Sequence, residues 1–250
     1  MFKNLQTEIV TEVKWPSNGF MLRTSQYKID VPNGVPSSAL RMPNYVDVSG
    51  MSAALRSGST LAQGAGGQLG SVNGLVTSQL TLRFADQAKQ WKSRCVGEPN
   101  RGPVEFTFQG GKVHFALALG IFVLNPNKPS PGDEVSDRIF SVIYSHELLH
   151  VVDNLDMLNN WLPPRLKQIR VIDEYLIRRK PYLYGRAVDS LDGLTREFPE
   201  FVRNKIETEA HNLWAVEANQ RQAIRDAPQE YGKVQGQIND LRSSRTIRRR

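Results

Sequence analysis

The segment Tyr144-Ser145-His146-Glu147-Leu148-Leu149-His150-Val151-Val152 sets two histidines four residues apart, with a glutamate directly after the first. On a helix, residues four apart stand one turn above each other, so both imidazoles can reach one point in space and bind one Zn²⁺ through ring nitrogens. Glu147 projects one step round the same helix, where its carboxylate can take a proton from a water activated by the metal. The spacing therefore predicts zinc-dependent hydrolysis, with His146 and His150 as metal ligands and Glu147 as general base. The plainer reading, two core histidines flanking a buried acid, would bury Glu147 without a counter-charge, which is expensive.

From Ile139 to Asn154 the chain resembles the zincin superfamily of metallopeptidases. More loosely, it is similar to the H-E-L-x-H-V-V metallopeptidase domains of bacterial injection systems and toxins, the small type III effector metalloproteases among them. The likeness is strong over these sixteen residues, continues around Glu207, and is nil before Leu80. It implies an α+β fold: a zincin-like metallopeptidase domain with a small, mostly antiparallel sheet, preceded by a β-rich N-terminal region. It also implies a cleft in which an edge strand pairs with extended peptide, Val113 to Leu124 being the candidate strand. The implied activity is peptide-bond hydrolysis with Zn²⁺ as cofactor. A protein or peptide substrate follows, and, by analogy alone, a bacterial effector or toxin served by a secretion or injection apparatus.

A catalytic zinc takes a third protein ligand and keeps an open position. Glu207-x-x-Ala210-His211 resembles the E-x-x-A-[D/N] helix that supplies this ligand in gluzincin peptidases, which implies Glu207 as the third ligand. His211 stands where those families carry Asp or Asn, and is expected to contact substrate or orient Glu207. Glu209 is the near rival. Asp156 imitates metzincin spacing in His146-Glu147-x-x-His150-x-x-Asp153-x-x-Asp156, but Asp153 replaces the glycine and no methionine follows Met157 to make the downstream turn. Glu174 lies 24 residues beyond His150, a separation gluzincins also use. A donor for the developing oxyanion is sought on the loop Lys180-Pro181-Tyr182-Leu183-Tyr184-Gly185-Arg186, where Tyr184 is preferred to Tyr182. His114 reads as a strand residue, and Cys95 belongs to no nucleophile or metal motif.

These groups need elements to position them. Asp133 can cap a helix whose stripe Ile139, Ile143, His146 and His150 follows the helical period. A long helix is expected from near Pro199 to about Asp226, stopped by Pro228, with Glu207, Ala210, His211, Trp214 and Ala218 on its inward side. Short helices are expected between Pro164 and Arg179. Upstream, Val104–Phe108 and Val113–Leu117 flank Gln109-Gly110-Gly111-Lys112 as a hairpin, after a helix from Leu80 to about Lys92. Thr7 to Lys14 and Tyr27 to Val31 alternate as strands do, and Ser49 to Ser78 shifts to Gly, Ser, Ala and Gln, the composition of a flexible segment. The expected division is 1–79 as β-rich region and flexible segment, 80–241 as zincin-like catalytic domain, and 242–250 as a basic tail, with 229–250 tapering into a polar, frayed end.

Composition narrows the remaining classes. The chain has 250 residues, 40% of them hydrophobic and 23% charged, which suits one principal globular domain with an appendage. No run approaches the roughly 18 apolar residues of a membrane span, so none is expected. The formal charge is +7, but Arg242, Arg245, Arg248, Arg249 and Arg250 supply five of those charges at one end. Terminal like charges repel and stay solvated, so nucleic acid is not an expected partner. With Cys95 alone no internal disulfide can form. The first residues lack the apolar core of a secretory signal, so the expected place is the cytoplasm of the producing cell, or a target cell reached without a cleaved signal. The competing reading from another class is a phage or secretion-apparatus structural protein that keeps a zincin fold for assembly.

Overall fold

The computed structural model describes residues 7–15, 20–57, 73–84, 91–95, 104–108, 111–166 and 191–248. The elements in chain order are β1 (Thr7–Lys14), α1 (Thr24–Tyr27), β2 (Asn44–Val46), α2 (Val48–Ser57), β3 (Gly74–Phe84), β4 (Trp91–Cys95), β5 (Val104–Phe108), β6 (Gly111–Leu124), α3 (Glu134–Asp156), α4 (Leu162–Leu166), α5 (Leu191–Arg225) and α6 (Pro228–Arg248). Helix and sheet are mixed, as expected. Two compact units divide the chain: Met1–Glu12, Thr81–Ala116 and Leu158–Trp214 make one, and Val13–Leu80, Leu117–Met157 and Ala215–Arg250 make the other.

This division crosses the one drawn at 79/80 and 241/242. In the unit holding the His146-Glu147-x-x-His150 helix, the chain before residue 80 is part of the framework. Strand β2 pairs in parallel with β6, Asn44 opposite Phe122 and Val46 opposite Leu124. The Leu124 N–H donates to the Asn73 carbonyl just ahead of β3, 3.1 Å away, and β3 itself pairs with β6. Strand β6 is therefore internal at Phe122–Leu124, with a neighbour on each edge, and is not the edge strand expected of Val113–Leu124. Its nearly unbroken apolar run is what two covered faces require: Leu117, Leu119, Ile121 and Val123 are fully buried. On the opposite face Phe122, Leu124, Val46 and Leu75 pack with Met51 and Ala54 of α2. Thus the opening of the Ser49–Ser78 stretch expected to be flexible belongs to α2, a helix lying on the sheet, and residues 58–72 are outside the described residues.

The 23-residue α3 begins where the sequence said it would. The Asp133 carboxylate accepts from the Ser136 N–H at 3.3 Å and from its hydroxyl at 2.9 Å, while Glu134 and Asp137 oppose the positive end of the helix dipole. Ile139, Phe140, Ile143, Tyr144, Leu148, Val151 and Leu155 are buried along it. Residues 20–46 wrap this helix with turns more than strands. Tyr27 sets its ring edge-on to Phe140 at 5.2 Å, the Tyr144 hydroxyl donates to the Arg41 carbonyl at 2.7 Å, the Asp30 N–H donates to the Ser145 hydroxyl at 3.1 Å, and the Ser141 hydroxyl donates to the Tyr27 carbonyl. The strand expected over Tyr27 to Val31 is instead the end of α1 and an irregular turn at Lys28, whose φ of 51° is left-handed.

Other differences follow from period. Of the helix expected from Leu80 to Lys92, Leu80–Phe84 belong to β3 and Trp91 and Lys92 to β4, and residues 85–90 lie outside the described residues. Leu80 and Leu82 are buried while Gln79, Thr81 and Arg83 are exposed, a two-residue alternation that only a strand satisfies. The hairpin strands exist, but β5 pairs antiparallel with β4, Val104 opposite Cys95 and Phe108 opposite Trp91; Gln109-Gly110 lie outside the described residues. The long C-terminal helix is present, extended back to Leu191. After it, the stretch expected to fray forms α6 to Arg248, with Ile238 buried and Arg242 donating to the Asn127 side chain at 3.0 Å. Among the described residues, no helix is long and apolar enough to cross a membrane.

Candidate metal centre

The site lies wholly within one unit and is built by α3, the α5–α6 junction and the start of β3. On α3 the four-residue spacing brings the two imidazoles together as expected, ring centroids 5.1 Å apart and planes nearly perpendicular. Their third companion is Asp226. Its Oδ1 stands 3.1 Å from His146 Nε2 and 3.2 Å from His150 Nε2, and among the described residues this is the group of His, Cys, Asp or Glu whose donor atoms converge within 4.8 Å. Four-coordinate zinc with nitrogen and oxygen ligands at about 2.0–2.2 Å has neighbouring donors roughly 3.3–3.5 Å apart. The two distances from Asp226 to the histidine nitrogens, 3.1 and 3.2 Å, come within a few tenths of an ångström of that spacing, and all three donors lie within 4.8 Å of one another.

Local sequence explains how Asp226 arrives. Its N–H closes the last turn of α5 on the Gln222 carbonyl at 2.8 Å. Pro228 has no N–H to continue that helix and its fixed φ suits the first turn of the next one. The Ala227 carbonyl accepts from Glu230 and Tyr231 at 2.9 Å each, so α6 starts at once and Asp226 is held at the junction. Two ion pairs tie the end of α5 to α3: Arg225 to Asp153 at 2.8 Å and Arg221 to Asp156 at 2.7 Å.

Charge at the centre is tightly coupled. Burial pushes the Glu147 carboxyl above the ordinary carboxylate range, with the His150 and His146 imidazoles opposing that rise and Asp226 adding to it. Burial alone would lower His150, but the hydrogen bond it donates to Asp226 and the charges of Glu147, Asp226 and Asp153 outweigh it and raise the group. Asp226 is drawn the other way. Burial raises it, and the hydrogen bonds and charges of both histidines more than reverse that, leaving it well below the usual range. Such opposed shifts in one cluster are typical of sites that handle protons and cations.

Two further residues complete the centre. Tyr231, near the start of α6, sets its ring edge-on to His146 at 6.3 Å. Burial raises its hydroxyl above the usual phenol value; hydrogen bonding to Asn73 opposes this, and the charges of Glu147 and Asp226 add to it. It is a protonated donor at neutral pH. Gly74 presses on the other side, against Glu147 and Ile143.

The expected third ligand, Glu207, is on α5 but not in this group. It lies nineteen residues before Asp226, half-buried beside a buried stripe of Ile206, Ala210, Trp214 and Ala218. That stripe repeats every four residues, which turns His211 outward to solvent rather than inward. Glu209 is bound to Lys205 at 2.7 Å, and Asp156 to Arg221. Tyr182, Tyr184 and Glu174 lie outside the described residues.

In the sequence, Asp226 reads only as the end of a helix stopped by Pro228, and Tyr231 only as part of the polar, fraying end after it. One signal was available: an acid in the last turn of a helix opposes the dipole, where Lys or Arg is favoured, so Asp226 asks for a compensating cation. Tyr231 carries no such mark. Compared with known proteins, the chain matches no family model, no curated protein and no solved structure, so its site rests on its own geometry.

Proposed function

We propose that this protein is a zinc-dependent peptidase with a zincin-like α+β catalytic unit, in which His146, His150 and Asp226 hold the ion. The observation that carries the reading is the convergence of those three donors within 4.8 Å beside the buried Glu147. Zinc bound there would supply a Lewis acid that polarises a water and a scissile carbonyl. The chain's own groups do the rest. Glu147, as the carboxylate, would take a proton from the attacking water and pass it to the leaving amine. Tyr231 donates a hydrogen bond to the oxygen on which charge develops, the part expected of Tyr184. The peptide substrate, and service as an exported effector or toxin, rest on the likeness of Ile139–Asn154 to the zincins.

The test is zinc analysis of the purified protein followed by hydrolysis of a mixed peptide library, run beside Glu147→Gln. About one zinc per chain, removable by chelators, and cleavage lost in the variant with zinc retained are expected. A chain that takes up no zinc on reconstitution removes the metal centre. A Glu147→Gln protein that cleaves as fast as its parent removes the peptidase mechanism.

A further inference from the structure

We infer that Asp153 and Asp156 on α3, clasping Arg225 and Arg221 on α5, form a positioning clamp that delivers Asp226 to the metal. This rests on the metal centre proposed above and assigns residues that lie outside its donor set. Beyond His150 the same stripe of α3 continues, at spacings of three, with Asp153 and Asp156. On α5, Arg221 and Arg225 stand one turn apart and Asp226 follows immediately.

The pairing fixes a register. Asp156 takes Arg221 and Asp153 takes Arg225, so the two segments run in opposite directions. One further step along α5 then places residue 226 against the stripe at His150 and His146, which is where Asp226 stands. The Arg225–Asp153 contact is a two-pronged fork, Nε to Oδ2 at 2.8 Å and Nη2 to Oδ1 at 3.0 Å, and such forks fix orientation as well as distance. Arg221 is held from two further directions, by Glu217 at 2.8 Å and by the Asp153 carbonyl at 3.4 Å. The clamp also answers the electrostatic problem of the site, because Asp226 sits at the negative end of α5 and near Glu147. The chain thus carries a two-part pattern, His146-Glu147-x-x-His150-x-x-Asp153-x-x-Asp156 answered by Arg221-x-x-x-Arg225-Asp226. In it the acids that imitate a ligand spacing hold the ligand's carrier.

The experiment is zinc titration against a chromophoric chelator on the full chain, with thermal unfolding of the metal-free protein in parallel. Arg225→Gln and Arg221→Gln are each expected to weaken zinc by about 10–100-fold, the range for groups that orient a ligand. Arg225→Lys should lose less than Arg225→Gln, and the exchanged pair Asp153→Arg with Arg225→Asp should recover much of the affinity lost by either single change. Lys233→Gln, which breaks an exposed pair with Glu230, should change nothing. Parent zinc binding with unaltered affinity in both Gln variants would overturn the clamp and leave the metal centre standing. A parent that binds no zinc would overturn both. If Arg225→Gln fails to fold, Arg221→Gln decides, its partner Asp156 being the more exposed of the two acids.

Discussion

Gly74 lies so close to Glu147 that a Cβ at residue 74 would stand 2.5 Å from Glu147 Oε1, 2.9 Å from its Cδ and 2.8 Å from Ile143 Cγ2. Real Cβ atoms essentially never approach that near, so the missing side chain is what lets the carboxylate occupy its place beside the histidines. Gly74→Ala should therefore displace Glu147 while leaving the ligands alone. The expected result is normal zinc content, hydrolysis reduced by about 10²-fold, comparable to loss of a general base, and about 1–3 kcal/mol of stability lost to overpacking. Zinc analysis, kcat and thermal unfolding check this together, and an unchanged kcat would show that Glu147 has room to spare.

Asp226→Asn should weaken zinc by at least about 100-fold, more than the roughly 10–100-fold of an outer partner, because a charged ligand is replaced by a neutral one. Glu207→Gln and Glu209→Gln should leave affinity within about twofold, the error of such a titration, since neither belongs to the converging group. If Glu207→Gln were the variant that lost zinc, the ligand assignment would pass back to it.

Tyr231→Phe should retain zinc and lower kcat by about 10²-fold, as removal of one oxyanion donor does, with little change in KM. Asn73 bonds to Tyr231 and also donates to Gln235 at 3.1 Å and accepts from Asn127 at 3.1 Å. Asn73→Ala is therefore expected to lower kcat less than Tyr231→Phe while costing stability as well. Steady-state kinetics of the two variants, with zinc content held equal, would expose the idea if Tyr231→Phe kept the parent's kcat.

Stability of the metal-free protein should peak on the acid side of neutrality. Asp226 is lowered in the fold, so its contribution is present above the unfolded carboxylate value of about 3.9 and fades as pH falls through the folded value. His150 is raised, so its contribution is complete below the unfolded imidazole value of about 6.5 and fades as pH rises through the folded value. The pair is strongest between those limits. Zinc needs neutral imidazoles, so the rise in Tm on adding zinc should run oppositely, larger near pH 8 than near pH 5.5. Melting curves with and without chelator at both pH values test this, and a zinc shift that grows towards acid would contradict histidine ligation.

The sequence by itself determined what short-range periodicity determines. His146, Glu147 and His150 share one helix, so their proximity needed only the helical rise and turn. Asp133 as cap and Pro228 as stop were legible for the same reason, each acting within a few residues of itself. Tertiary structure alone decided the rest of the centre. Asp226 reaches the histidines from 76 residues beyond His150, through a helix register set by Asp153–Arg225 and Asp156–Arg221. Gly74 and Asn73 come from a stretch whose composition read as flexible, and their roles exist only because β3 lies along β6 beside α3. An apolar run such as Leu117–Val123 records that both its faces are covered, but not which strands or helices cover them. That choice is made by packing between distant segments, which no local window of sequence contains.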